Sequence, residues 1–171
     1  MRGFSWGTVM DVSKATSDLQ SGDAAARAAA AEVLAHLEEG AQGAAVALVT
    51  ATADQDESVR QWATAALESL GPPPSDSAAQ LGKLLADKRL DVAYWAATLL
   101  GRLGADAAAA VPQLTTALQS HGEMAVRERA AWALGQIGSP AAPAMPALES
   151  AAGEQQPRLA RLAREAIGNI K

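Results

Sequence analysis

Apolar residues recur along this chain at helical spacing, most clearly in VRERAAWALGQIG, from Val126 to Gly138. At 100° per residue, Val126, Ala130, Ala133, Leu134 and Ile137 fall within one stripe, whereas Arg127, Glu128, Arg129, Trp132 and Gln136 lie off it. The pattern predicts an amphipathic helix with one packed face. Gly138 stands where a helix end takes positive φ, and Ser139-Pro140 opens a new segment.

The same pattern returns along the chain. Moving back 34 residues reaches Val92 in VAYWAATLLGRLG, and 33 more reaches Val59 in VRQWATAALESLG. Moving forward 33 residues from Val126 reaches Leu159 in LARLAREAIGNIK, and 33 before Val59 stands Ala26 in ARAAAAEVLAHLE, the weakest copy. Between these lie shorter apolar segments that also repeat, marked by Ala45 and Leu48, Ala78 and Leu81, Val111 and Leu114, and Met145 and Leu148. Val9, Val12, Ala15 and Leu19 fit the same slot at the N-terminus. Self-similarity at this period predicts a stacked array in which each unit is helix, turn, helix, turn. The expected architecture is an all-α solenoid of about five antiparallel helix pairs in a single domain, with repeats near 1–40, 41–73, 74–106, 107–139 and 140–171. Pro112 and Pro146 either mark the first turn of a helix or kink it. Gly71-Pro72-Pro73-Pro74 reads as an inter-helix turn, because the repeat spacing runs through it. Gly101, Gly135 and Gly168, nine places after each Val or Leu, are expected to admit close helix contact, since Gly inside a helix costs about 1 kcal/mol relative to Ala.

Composition narrows the picture. Hydrophobic residues make up 49% of the 171, mostly alanine, so a core of large side chains is not available. No segment alternates in the manner of a strand. A net charge of −5 argues against a general phosphate-backbone binder. With no cysteine, disulfides and thiolate metal sites are excluded. The opening MRGFSWGTVMDVSKATSD has no apolar stretch of signal-peptide length, and nothing later approaches about 18 uninterrupted apolar residues. A soluble cytoplasmic protein, with no membrane contact, is the expectation.

A first helix, a turn Asp and then V-R-x-x-A-A-x-A-L-G-x-I-G together resemble the HEAT repeat, in the short bacterial form found in phycobilisome-lyase-like proteins. The resemblance implies a right-handed superhelix whose second helices line a concave surface where partners dock. Asp54 and Arg60 resemble the family's Asp and Arg pair, which forms a ladder between neighbouring turns. Here the ladder is interrupted: Ala93 follows Asp87, Ser120-His121-Gly122 takes the acid's place before Arg127, Ser21 precedes Arg27, and Glu154 precedes Ala160.

Catalytic groupings are nearly absent. His36 and His121 are far apart, and there is no HExxH, CxxC or phosphate loop. Gly40-Ala41-Gln42-Gly43 reads as a turn, and Asp54, Asp56 and Glu57 as helix-start carboxylates rather than a Ca²⁺ site. No catalytic residue, cofactor or metal is expected. The informative residues flank the stripe on the second helices: Trp62, Tyr94, Trp95, Arg102, Arg129, Trp132 and Gln136. Trp62 and Trp95 suit either packing between repeats or binding. Tyr94 and Trp132 point further from the stripe and are expected on the surface, where Trp, Tyr and Arg are the types enriched at binding hot spots. The expected function is a non-enzymatic scaffold that binds a protein or peptide through the concave surface. The family resemblance supplies an alternative, a tetrapyrrole (bilin) lyase or chaperone. Nucleic-acid binding is opposed by Glu32, Glu128 and Glu165 beside few arginines.

Overall fold

A computed structural model describes residues 12–171. Val9 and the first eleven residues of the N-terminal segment lie outside the described part. Among the described residues the regular structure is helical, in an order that alternates short and long helices. The short ones are α1 (Val12–Asp18), α3 (Ala45–Ala51), α5 (Ala78–Leu84), α7 (Val111–Ser120) and α9 (Met145–Ala152). The long ones are α2 (Ala24–His36), α4 (Glu57–Ser69), α6 (Leu90–Leu103), α8 (Met124–Ile137) and α10 (Pro157–Ile170). Contacts gather the chain into two compact units, one ending at Leu70 and one beginning at Gly71.

In the first unit α2 packs along α4, with α1 against α2 and α3 against α4. Ala30 and Leu34 of α2 and Val59, Ala63 and Leu67 of α4 are buried, residues the helical stripe selects, while Val33 and Leu37 of the same stripe are half-buried and Ala31, off it, is buried. In the second unit α6 packs on α8 and α8 on α10, while α5, α7 and α9 each back the long helix that follows. Val92, Ala96, Leu99 and Leu100 meet this role on α6, and Val126, Ala130, Ala133, Leu134 and Ile137 on α8 are all buried. The largest fully buried side chains are all leucines, set among alanines. Each such Leu is worth about 2 kcal/mol of burial, so the core gains its stability by repetition.

The starts of α2, α4, α6 and α8 are built alike. Ser21 Oγ, Asp54 Oδ1, Asp87 Oδ1 and His121 Nδ1 each accept a hydrogen bond from the backbone N–H two residues on, at 3.2, 2.9, 2.9 and 3.1 Å. That local turn holds the chain extended at the N-cap residues Asp23, Asp56, Arg89 and Glu123. His121 thus replaces the turn acid, and its Nε2 lies 3.2 Å from the Asp87 carbonyl oxygen. With Nδ1 accepting, Nε2 carries the proton and donates to that oxygen. The extra residue of this repeat is absorbed in α7, which has ten residues where α3 and α5 have seven.

The Asp and Arg ladder runs between neighbouring repeats as expected, but the Asp54 and Arg60 side chains do not pair with each other. Arg60 donates to the backbone oxygens of Asp54 and Gln55. The Asp54 carboxylate instead receives Arg27 from the preceding repeat, through Nε and Nη2 at 2.8 and 2.9 Å. In the second unit Arg127 reaches Glu154 of the following repeat at 2.5 Å. Each rung therefore joins an arginine to an acid 27 residues later. Pro112 and Pro146 sit in first turns, where no helical donor is lost.

Candidate functional site

The long helices α6 and α8 stack so that residues off the packed stripe meet across the seam. Tyr94 and Trp95 come from the first half of α6, Arg102 from its last turn, and Arg129 and Trp132 from the middle of α8. All five are half-buried. The Arg129 guanidinium carbon lies 4.5 Å from the Tyr94 ring centre and 5.0 Å from that of Trp132. Arg129 Nη2 also donates to the Tyr94 hydroxyl. Beside this group Arg102 lies 5.8 Å from the Trp95 ring centre, and Trp95 meets Tyr94 edge to face at 6.0 Å. Guanidinium–aromatic contacts of this kind contribute about 0.5 to 2 kcal/mol each, more as water is removed.

Trp132 has a second neighbour. A Cβ placed on Gly101 would lie 2.2 Å from Trp132 Cζ3. The ring fills the notch that the missing side chain leaves on α6, so Trp132 is partly a packing residue, more covered than its angle off the stripe implies. Gly135 has the matching role one repeat on, where an added Cβ would lie 2.9 Å from the Ala166 Cα. The expectation fails at Gly168, where nothing lies within 4 Å of an added Cβ.

Gln136 is exposed on α8, one turn beyond Trp132. Trp62 belongs to the first unit, where its ring centre lies 5.6 Å from that of His36 on α2 at a tilt of 52°. The repeat pattern does not encode this pairing, because His36 lies on its weakest copy.

Burial and, after it, the charge of Arg129 lower the pKa of Arg102, although it remains a cation. Glu128, next to Arg129 in sequence, is paired with Arg158 at 3.1 Å. Tyr94, Ala125, Glu128, Arg129, Trp132, Arg158 and Leu162 line a hollow of about 310 Å³. A larger hollow, about 650 Å³, lies between the short helices α5 and α7, with Lys83, Lys88, Asp87, His121 and Glu123 around it and no Trp, Tyr or Phe in its lining. No cluster of three or more His, Asp or Glu suited to a metal occurs among the described residues. No helix among them is long and apolar enough to cross a membrane.

Comparison with known structures gives several matches over nearly the whole chain. The chain is 24% identical to a chain in the complex of CpcE and CpcF of phycocyanin lyase from Nostoc sp. PCC7120, with a TM-score of 0.66 over 100% of this chain and 70% of that one. A designed armadillo repeat protein in complex with the peptide (KR)4 is 19% identical, with a TM-score of 0.65 over 94% of this chain and 82% of that one. An engineered protein is 23% identical, with a TM-score of 0.63 over 94% and 79%. No protein of curated function matches the sequence. At these identities the likeness is one of fold, that of the helical-repeat solenoid. The HEAT repeats family itself matches residues 78–168. That match covers α5 through nearly all of α10, more than half of the sequence, and the chain belongs to the HEAT-repeat family.

Proposed function

We propose that this protein is a non-catalytic binding module, and that the α6–α8 face receives a protein or peptide partner. The observation that carries the reading is the Arg129 guanidinium set against Tyr94 and Trp132, beside Trp95 and Arg102. These are hot-spot residue types, half-buried and already fixed by one another, so little side-chain entropy is lost on binding. Gln136 extends the face at its edge, and Trp62 offers a contact of the same kind in the first unit. Among similar folds, the designed armadillo protein is in complex with a peptide, and CpcE and CpcF are in complex with each other. The bilin alternative draws less support, because Arg129 already lies against the Tyr94 and Trp132 rings that a flat ligand would need.

The test is the double substitution Trp95→Ala and Trp132→Ala, with helicity checked by circular dichroism, followed by capture of partners from a cell extract. The reading expects partners bound by the native protein to be lost. Should the double variant disturb the fold, Arg129→Ala, which removes no packed ring, gives the same comparison. Unchanged capture by both overturns it.

A further inference from the structure

Arg129 is a cation that no carboxylate answers among the described residues. The acids on α8 and α10 that share this region are taken: Glu128 pairs with Arg158 at 3.1 Å and Glu165 with Arg161 at 2.6 Å. Asp91 lies in the first turn of α6, where it offsets the helix dipole. Arg129 is held instead by two ring contacts and the Tyr94 hydroxyl. None of these neutralises its charge, and a guanidinium so held keeps N–H groups suited to a bidentate carboxylate.

The hollow that Arg129 lines has a second character. Ala125, Leu162 and Trp132 make one wall apolar, and Arg158, whose side chain is 68% exposed, stands at its edge. We propose that this hollow docks a peptide segment carrying an Asp or Glu beside an apolar residue, the carboxylate meeting Arg129 and the apolar group resting on Trp132 and Leu162. This rests on the α6–α8 face being the partner-binding surface. One or two carboxylates fit this better than a nucleic-acid backbone, because local pairing acts at contact distance while a polyanion meets the field of a chain with net charge −5.

The experiment is a calorimetric titration with the acetylated, amidated heptapeptide Gly-Leu-Glu-Leu-Glu-Leu-Gly at low salt, against the same peptide with Gln or Lys in place of Glu, and against an octamer of thymidylate. The expected result is binding of the Glu peptide alone, a loss of roughly 10- to 100-fold with Arg129→Gln, and partial recovery with Arg129→Lys, which keeps the charge but not the fork. Equal binding of the Gln peptide, indifference to Arg129→Gln, or tighter binding of the oligonucleotide overturns the proposal. If none of the peptides binds while the Trp95 and Trp132 double variant still loses its partners, the carboxylate proposal falls and the binding-module reading stands.

Discussion

Trp132 on α8 occupies the volume that Gly101 on α6 leaves empty, with Cζ3 at 2.2 Å from where a Cβ would stand. One glycine thereby sets the position of the ring against which Arg129 rests. The repeat stack and the candidate site are coupled at this point.

Gly101→Ala is therefore a site variant as much as a fold variant. The added methyl meets a side chain, not backbone, so the Trp132 ring is expected to swing out while the helices stay packed. Near-ultraviolet circular dichroism and tryptophan emission should change, and Arg129 should lose one of its two ring contacts. Far-ultraviolet signal should hold, with a stability loss of about 1 to 2 kcal/mol by urea denaturation. An unaltered tryptophan environment contradicts this packing.

The three equivalent glycines are expected to answer alanine differently. At Gly135 the new Cβ meets the backbone of α10, which cannot yield without moving the helix, and a loss of about 1 to 3 kcal/mol follows. At Gly168 there is open space, so the helix propensity of alanine is gained outright, up to about 1 kcal/mol. Chemical denaturation of the two variants in parallel checks the opposite signs.

The rung between Arg27 and Asp54 makes a prediction about acid. The Arg27 side-chain hydrogen bond, with help from the Asp56 backbone N–H, holds the Asp54 carboxyl below its ordinary range. A carboxylate depressed in the folded state stabilises above its unfolded pKa, about 3.9, and loses that stability as pH falls through the folded value. Asp54→Asn should be less stable than the native protein at pH 7 and should close the gap as pH drops below about 4. A constant difference between the two across pH 7 to 2.5 counts against the rung.

His121 performs a turn function that the other repeats give to an acid or a serine. His121→Ala leaves the Glu123 N–H and the Asp87 carbonyl without their partner and should cost about 1 kcal/mol. His121→Asn restores the local acceptor and should recover part of this. Thermal melts of the pair distinguish a working turn from a passive surface histidine.

The periodic part of this protein was open to reading because its cause is local. Apolar spacing placed all five long helices, and Gly138 takes φ of 72° as its position at the end of VRERAAWALGQIG implies. What escaped was set by neighbours in space. Arg60 and Asp54 are close in sequence, yet the carboxylate goes to Arg27 of another repeat, which no single-helix pattern encodes. The tautomer and reach of His121 depend on the Asp87 carbonyl 34 residues away. At the site the residue types on α6 and α8 were legible as off-stripe positions, but the shared contact of Arg129 with two rings depends on helix stacking. The angle of Trp132 off the stripe said nothing of the notch at Gly101, because the notch belongs to the adjacent helix.

The most direct measurement is photo-crosslinking with a benzoylphenylalanine placed singly at Gln136 on α8 or at Gln119 on α7, both exposed. The account predicts partner adducts from Gln136, suppressed by Arg129→Ala, and none from Gln119. Adducts from Gln119 with none from Gln136 would place the partner on the short-helix side and contradict the account.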